Sequence, residues 1–266
     1  MPNRCALDVR QKAAKTLECP IVNRYSDISR ERLYLLEGLQ QRATGLLTSL
    51  LKGVIATFLI GLFVLLRADD KQWIKKELFV SAQQDFGVEA EQRLRDWQKL
   101  YEDLQNKDED EKLRAVNYFF NNAVNYVSDE KHWGQKDYWA TPYESLTTHG
   151  ADCEDFVIAK YYTLKELGVE VEKLRITYVK ALRINQAHMV LTYFPTPDAI
   201  PLVLDNLIGK IYSADRRKDL EPVYSFNASG MWLERMKGQG IRMGNPNKLD
   251  LWTGLRLRMS AQGMEI

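Results

Sequence analysis

One stretch limits every fold open to this chain. Leu46–Leu66 reads LLTSLLKGVIATFLIGLFVLL, 21 residues with a single charge at Lys52. That length suffices to cross a bilayer, while its purest part, the 14 residues Gly53–Leu66, has the length of a signal-peptide core. Leu66-Arg67-Ala68 is a poor small-x-small cleavage site, and Arg or Lys flanks both ends, so charge sets no orientation. An export signal or membrane anchor is the expectation; a buried core helix is the alternative. The run divides the chain into an N-terminal extension (1–45), a hydrophobic signal or anchor segment (46–68), a globular domain (69–245) and a C-terminal tail (246–266).

The globular part begins with helical periodicity. Lys71–Phe86 and Glu89–Gln105 read as amphipathic helices, the second with Leu94, Trp97, Leu100, Tyr101 and Leu104 on one stripe. Asn106–Lys112 reads as a solvated turn and helix start, Leu113–Val127 as a third helix, residues 128–142 as a loop, and Pro142–Leu146 as a short helical turn. Phe156–Leu167 is strongly helical and stops at Gly168. Three strand-like runs follow: Leu174–Lys180, His188–Phe194 and Pro201–Asp205. Helices first and strands after predict an α+β fold with an antiparallel sheet. The 37 basic residues are balanced by 36 acidic ones, which excludes a global nucleic-acid footprint.

Of three cysteines, Cys5 and Cys19 precede the apolar run, and Cys153 stands alone after it. An unpaired cysteine in an exported protein is an intermolecular partner or a reactive thiol. Cys153 opens the Phe156–Leu167 helix, where free amides and the helix dipole favour a thiolate and suit an oxyanion. A simple buried cysteine is the competing reading. A turn at Pro195–Asp198 would set His188 directly opposite Asp205 on neighbouring strands, as a base needs an orienting carboxylate. The other histidines offer less: His149, four residues before Cys153, has no carboxylate suggested by spacing, and His132 lies in a polar loop. Asp152, Glu154 and Asp155 crowd the thiol and would oppose its ionisation. A cation removes that conflict, and close carboxylates suit Ca²⁺.

Four segments then carry a resemblance: Asp137–Pro142 (DYWATP), Gly150–Asp155 (GADCED), His188–Leu191 (HMVL) and Leu204–Leu207 (LDNL). In this order and spacing they resemble the bacterial transglutaminase-like cysteine proteinases, in particular the periplasmic type that processes adhesins, over about residues 70–240. The resemblance implies a papain/transglutaminase-like α+β fold with the catalytic Cys on the central helix. It implies a Cys153–His188–Asp205 triad, Ca²⁺ held by Asp152, Glu154 and Asp155, and a calcium-dependent cysteine endopeptidase. The substrate implied is a large surface adhesin, cut near its N-terminus at a pair of alanines, with release promoting biofilm dispersal. The implied inhibitor is the periplasmic domain of a cyclic-di-GMP receptor. Trp139 is expected either to supply a second oxyanion donor or to line the cleft. A transglutaminase-type acyl transferase and a non-catalytic calcium-dependent binding module remain the alternatives.

Overall fold

The computed structural model describes residues 72–233, 241–244 and 250–266, with scattered helical positions between 35 and 55. The chain forms two units, Met1–Lys71 and Gln72–Ile266. Among the described residues no helix is long and apolar enough to cross a membrane. Most of the apolar run and of the N-terminal extension lies outside the described residues. All elements below belong to the second unit.

Helix α1 (Lys76–Phe86) ends at Gly87, whose φ of 93° lets the chain turn directly into α2 (Val88–Leu104). The expected stripe of α2 is its buried face: Leu94, Trp97 and Leu104 are inside, and the Trp97 indole N–H donates to Thr163 Oγ1 at 2.9 Å. Helix α3 (Glu109–Ala123) starts at Asp108, whose carboxylate accepts the Glu111 N–H, with three acids in the first turn to suit the dipole. It starts and ends four residues earlier than the apolar pattern predicts. At Val124 the chain turns extended, and β1 (Asn125–Tyr126) pairs in parallel with β2 (Gly150–Ala151). Between them lie the one-turn α4 (Asp129–His132), inside the expected loop, and α5 (Pro142–Thr148). Proline at the first position of α5 and a Thr141/Glu144 capping box fix its start.

Helix α6 (Cys153–Glu166) runs through the interior, with ten consecutive buried residues from Asp155 to Leu164. It packs on one face of a seven-stranded antiparallel sheet ordered β6-β5-β4-β3-β7-β8-β9. The strands are β3 (Leu174–Ala181), β4 (Gln186–Tyr193), β5 (Leu202–Leu204), β6 (Tyr212–Ser213), β7 (Leu220–Asn227), β8 (Gly230–Leu233) and β9 (Ile241–Gly244). The main core joins Tyr161 and Leu164 of α6 to Ile176, Leu191, Leu204 and Phe226 of the sheet. On the opposite face Val179, Val190 and Val203 form a smaller cluster covered by Ala214 and Leu220.

Two expectations need correction. Residues 246–266 are not a tail throughout, because Asp250–Ala261 form α7, whose Trp252, Leu255 and Met259 are fully buried in the main core. The strand register also differs. Leu204 pairs with Leu191 and Leu202 with Tyr193, so the β4–β5 connection spans eight residues, Phe194–Pro201. Projected past the end of β5, that register sets Asp205 opposite Val190, two positions from His188.

Candidate active site

Cys153 is the first residue of α6, half-buried, and Asp152 is its N-cap. The approach to this position is tightly built. A Cβ on Gly150 would lie 2.5 Å from the His132 ring, so only glycine lets β2 pass it. His132 is therefore packed rather than solvated: it stands edge-on to Trp133, and its Nε2 is 2.9 Å from Thr148 Oγ1. His149 has a φ of 57°, ends α5 and faces solvent. Asp155 is fully buried, and its carboxylate accepts two backbone N–H groups, from Ala140 at 2.6 Å and Asp152 at 3.2 Å. That bond pins the DYWATP segment to the head of α6.

Behind the thiol, β4 supplies His188, which is 4% exposed. Its Nε2 lies 2.8 Å from Oδ1 of Asp205, which has no exposure at all. The two residues are diagonal rather than directly opposed neighbours, a separation that two side chains can bridge. The same Oδ1 accepts the Leu207 N–H at 3.0 Å, and Oδ2 accepts from Arg217 at 2.7 Å. Burial works to raise the Asp205 pKa, but these hydrogen bonds and the His188 charge hold it below the ordinary carboxylate value.

Cys153 and His188 line one cleft of about 620 Å³, with Trp139, Tyr178 and Tyr224 on its walls. Trp139 is buried, stacks on Phe226 at 5.8 Å and lines the cleft. The Cys153 thiol donates to Glu154 Oε2 at 3.0 Å, not to His188. Burial, then the Glu154 charge, push the thiol pKa up; the Met189 backbone N–H opposes them weakly.

The carboxylates around the thiol form overlapping groups whose candidate ligand atoms lie within 4.8 Å of one another: Asp152 and Glu154 with the thiol, Asp129 with Asp152 and Asp155, and Asp129 with Asp137 and Glu154. Asp129 opens α4 and Asp137 opens the DYWATP segment, both within the 128–142 stretch read from the sequence as a loop. Burial raises Asp129 to about 6 and Asp152 to about 10, the neighbouring carboxylates adding to it. Asp155 stands well above the ordinary carboxylate range for the same reasons. Asp129 Oδ1 and Asp152 Oδ1 are buried without a hydrogen-bond partner among the described residues. Hard oxygens, mutual repulsion and orphaned acceptors fit a divalent cation such as Ca²⁺. Both Asp155 oxygens accept backbone N–H groups and Asp129 Oδ2 accepts that of Tyr138, so Asp129 Oδ1 and Asp137 are the more open ligand oxygens.

Residues 85–219 match a family described as bacterial transglutaminase-like cysteine proteinase (Peptidase C93, BTLCP). Among solved structures, Legionella pneumophila LapG is 42% identical, with a TM-score of 0.61 over 69% of this chain and 96% of that one. Its EGTA-treated form matches equally, and the calcium-bound form gives 42% identity, a TM-score of 0.60, and coverage of 69% of this chain and 98% of that one. No curated protein matches the chain. The fold is thus the papain/transglutaminase-like α+β fold, its helices gathered on an antiparallel sheet and a cysteine heading the central one, and the chain belongs to the bacterial transglutaminase-like cysteine proteinases.

Proposed function

We propose that this protein is a calcium-dependent endopeptidase in which Cys153 is the nucleophile, His188 its base and Asp205 the orienting carboxylate. The observation that carries this is the buried His188 Nε2–Asp205 Oδ1 contact at 2.8 Å, with His188 on the cleft shared by the thiol. With Nε2 committed to Asp205, Nδ1 is the nitrogen left to take the Cys153 proton. The thiolate then attacks the scissile carbonyl, and the Cys153 backbone N–H, free at the helix start, donates to the oxyanion. His188 returns the proton to the leaving amine, and water hydrolyses the acyl-enzyme.

Asp152, Glu154, Asp129 and Asp137 are the residues that would hold the cation, with Asp155 bracing them. Bound there, Ca²⁺ supplies positive charge beside a thiol that carboxylates otherwise keep protonated. Glu154 is both a ligand candidate and the acceptor of the thiol proton, so a ligating Glu154 accepts that proton less well. The calcium-bound relative supports this reading.

The substrate we propose is the N-terminal region of a large surface adhesin, cut near paired alanines, with release promoting biofilm dispersal. The proposed site of action is the periplasm, reached through the 46–66 segment as signal or anchor. The proposed inhibitor is the periplasmic domain of a cyclic-di-GMP receptor. The resemblance and the apolar run support these assignments.

The test incubates the full chain with adhesin N-terminal fragments containing an Ala-Ala pair, with Ca²⁺ or with EGTA, and weighs the products. Two fragments in Ca²⁺, and none in EGTA or with Cys153→Ala, are expected. Cross-linked products would assign acyl transfer instead, and calcium-independent cleavage would remove the cation from the mechanism.

A further inference from the structure

Behind Asp205 lies a second charged pair. Arg217 is 3% exposed, in the connection between β6 and β7. Its guanidinium donates through Nη2 to Asp205 Oδ2 at 2.7 Å and to Asp219 Oδ2 at 2.9 Å, and through Nε to Asp219 Oδ1 at 3.0 Å. The grip on Asp219 is bidentate, which fixes the guanidinium plane and with it the direction of the Asp205 bond. Asp219 is itself tied to the β3–β4 hairpin, its carbonyl accepting the Leu182 N–H at 2.8 Å.

We infer that Arg217 and Asp219 form a positioning clamp that sets the rotation of the Asp205 carboxylate, and through it the aim of the His188 ring. This inference rests on the triad proposed above. Oδ1 serves His188 and the Leu207 N–H, while Oδ2 has Arg217 as its one hydrogen-bond partner among the described residues. Without Arg217 that oxygen would be buried and unpaired. Lys160 of α6 is fully buried, its Nζ has no hydrogen-bond partner among the described residues, and burial lowers its pKa while the Asp205 charge opposes that shift. A carboxylate turning toward Lys160 would draw Oδ1 off the His188 ring. A lysine at 217 could replace one contact of the fork but not its plane.

Two readouts test the clamp: steady-state hydrolysis of a fluorogenic Ala-Ala peptide, and the rate at which iodoacetamide alkylates Cys153, both in Ca²⁺ at neutral pH. For Arg217→Ala, kcat should fall on the order of a hundredfold, the loss typical of a misaimed group, with KM little changed. Alkylation should slow in parallel. Added guanidinium should restore part of both rates, and Arg217→Lys and Asp219→Asn should lie between Arg217→Ala and wild type. The same guanidinium should do nothing for His188→Ala. Wild-type kcat and alkylation in Arg217→Ala would overturn the clamp, as would a loss that neither guanidinium nor lysine relieves. If Arg217→Ala does not fold, Arg217→Lys and Asp219→Asn decide: wild-type rates in both overturn the clamp. If His188→Ala and Asp205→Asn keep wild-type rates, it is the triad that fails.

Discussion

The sulfur of Cys153 has two potential proton acceptors of opposite consequence. In the proposed mechanism His188 activates it, whereas Glu154, which accepts the thiol hydrogen bond at 3.0 Å, opposes its ionisation. Removing the thiol and removing the brake should therefore be separable. Cys153→Ala should abolish cleavage with the melting temperature close to wild type, since a half-buried thiol contributes little packing. Glu154→Gln removes one charge next to the sulfur. In EGTA its Cys153 should react with iodoacetamide several-fold faster than wild type, while Ca²⁺ should accelerate it less because a ligand is lost. Equal rates for wild type and Glu154→Gln in EGTA would show that Glu154 does not restrain the thiol. Much of this was legible in the sequence. Cys153, His188, Asp152 and Glu154 were recoverable because their types and spacing carry chemistry. Asp129, Asp137 and Arg217 were not legible as site residues: Asp129 opens the one-turn α4, Asp137 stands out only as part of the DYWATP segment, Arg217 lies between strands, and all three meet the site only through the fold.

Secondary-structure elements deliver these residues, and some deliver them by an unexpected route. The His188–Asp205 contact was expected from directly opposed positions, yet the pairing of Leu204 with Leu191 makes it diagonal. The contact survives because pairing shifted by two positions keeps each side chain on its face, whereas a shift of one would have turned Asp205 away. Apolar alternation therefore identified the strands, but loop length, invisible to it, set the register. The strands β7 and β8 went unread because Glu221, Pro222 and Gly230 interrupt the pattern, and β9 because it is only four residues long. At β2 the sequence carries a stricter demand. Gly150→Ala places a methyl group 2.5 Å from the His132 ring and should destabilise the protein by about 1–3 kcal/mol, the range for overpacking. His132→Ala in the same chain should recover part of that loss, measured as a double-mutant cycle in urea. Strict additivity would mean that Gly150 matters for some reason other than His132.

At the scale of the whole unit, the hydrophobic core and the acidic centre make opposite contributions. Trp252, with no exposed surface, meets Phe226 edge-on at 5.3 Å and Tyr161 at 6.4 Å. It ties residues 250–266 into the core that supports α6, and Trp252→Ala should cost about 3–5 kcal/mol in urea denaturation. The spacing of Trp252, Leu255 and Met259 already carried the helical signal for this segment. The acidic centre works against stability when no cation is present. Asp129 stands at about 6 and Asp152 at about 10 in the folded chain, against an ordinary 3.8, with burial the first cause of both. Folding therefore favours their protonated forms. Their stabilising contribution is complete below pH 3.8 and is lost as pH rises, through about 6 for Asp129 and about 10 for Asp152. Asp205 and Asp219, held below the ordinary value, act the other way, losing their contribution only as pH falls below 3.8. In EGTA the melting temperature should thus decline as pH is raised from about 5 to 8, a range in which the two lowered carboxylates stay ionised. Saturating Ca²⁺ should oppose that decline, because a cation bound to the ionised carboxylates stabilises the folded state more as they lose protons. A calcium-induced shift in melting temperature that grows between pH 5 and 8, and shrinks in Asp152→Asn, is the expected signature. A shift independent of pH would mean that the cation binds elsewhere, or that these carboxylates are already ionised without it.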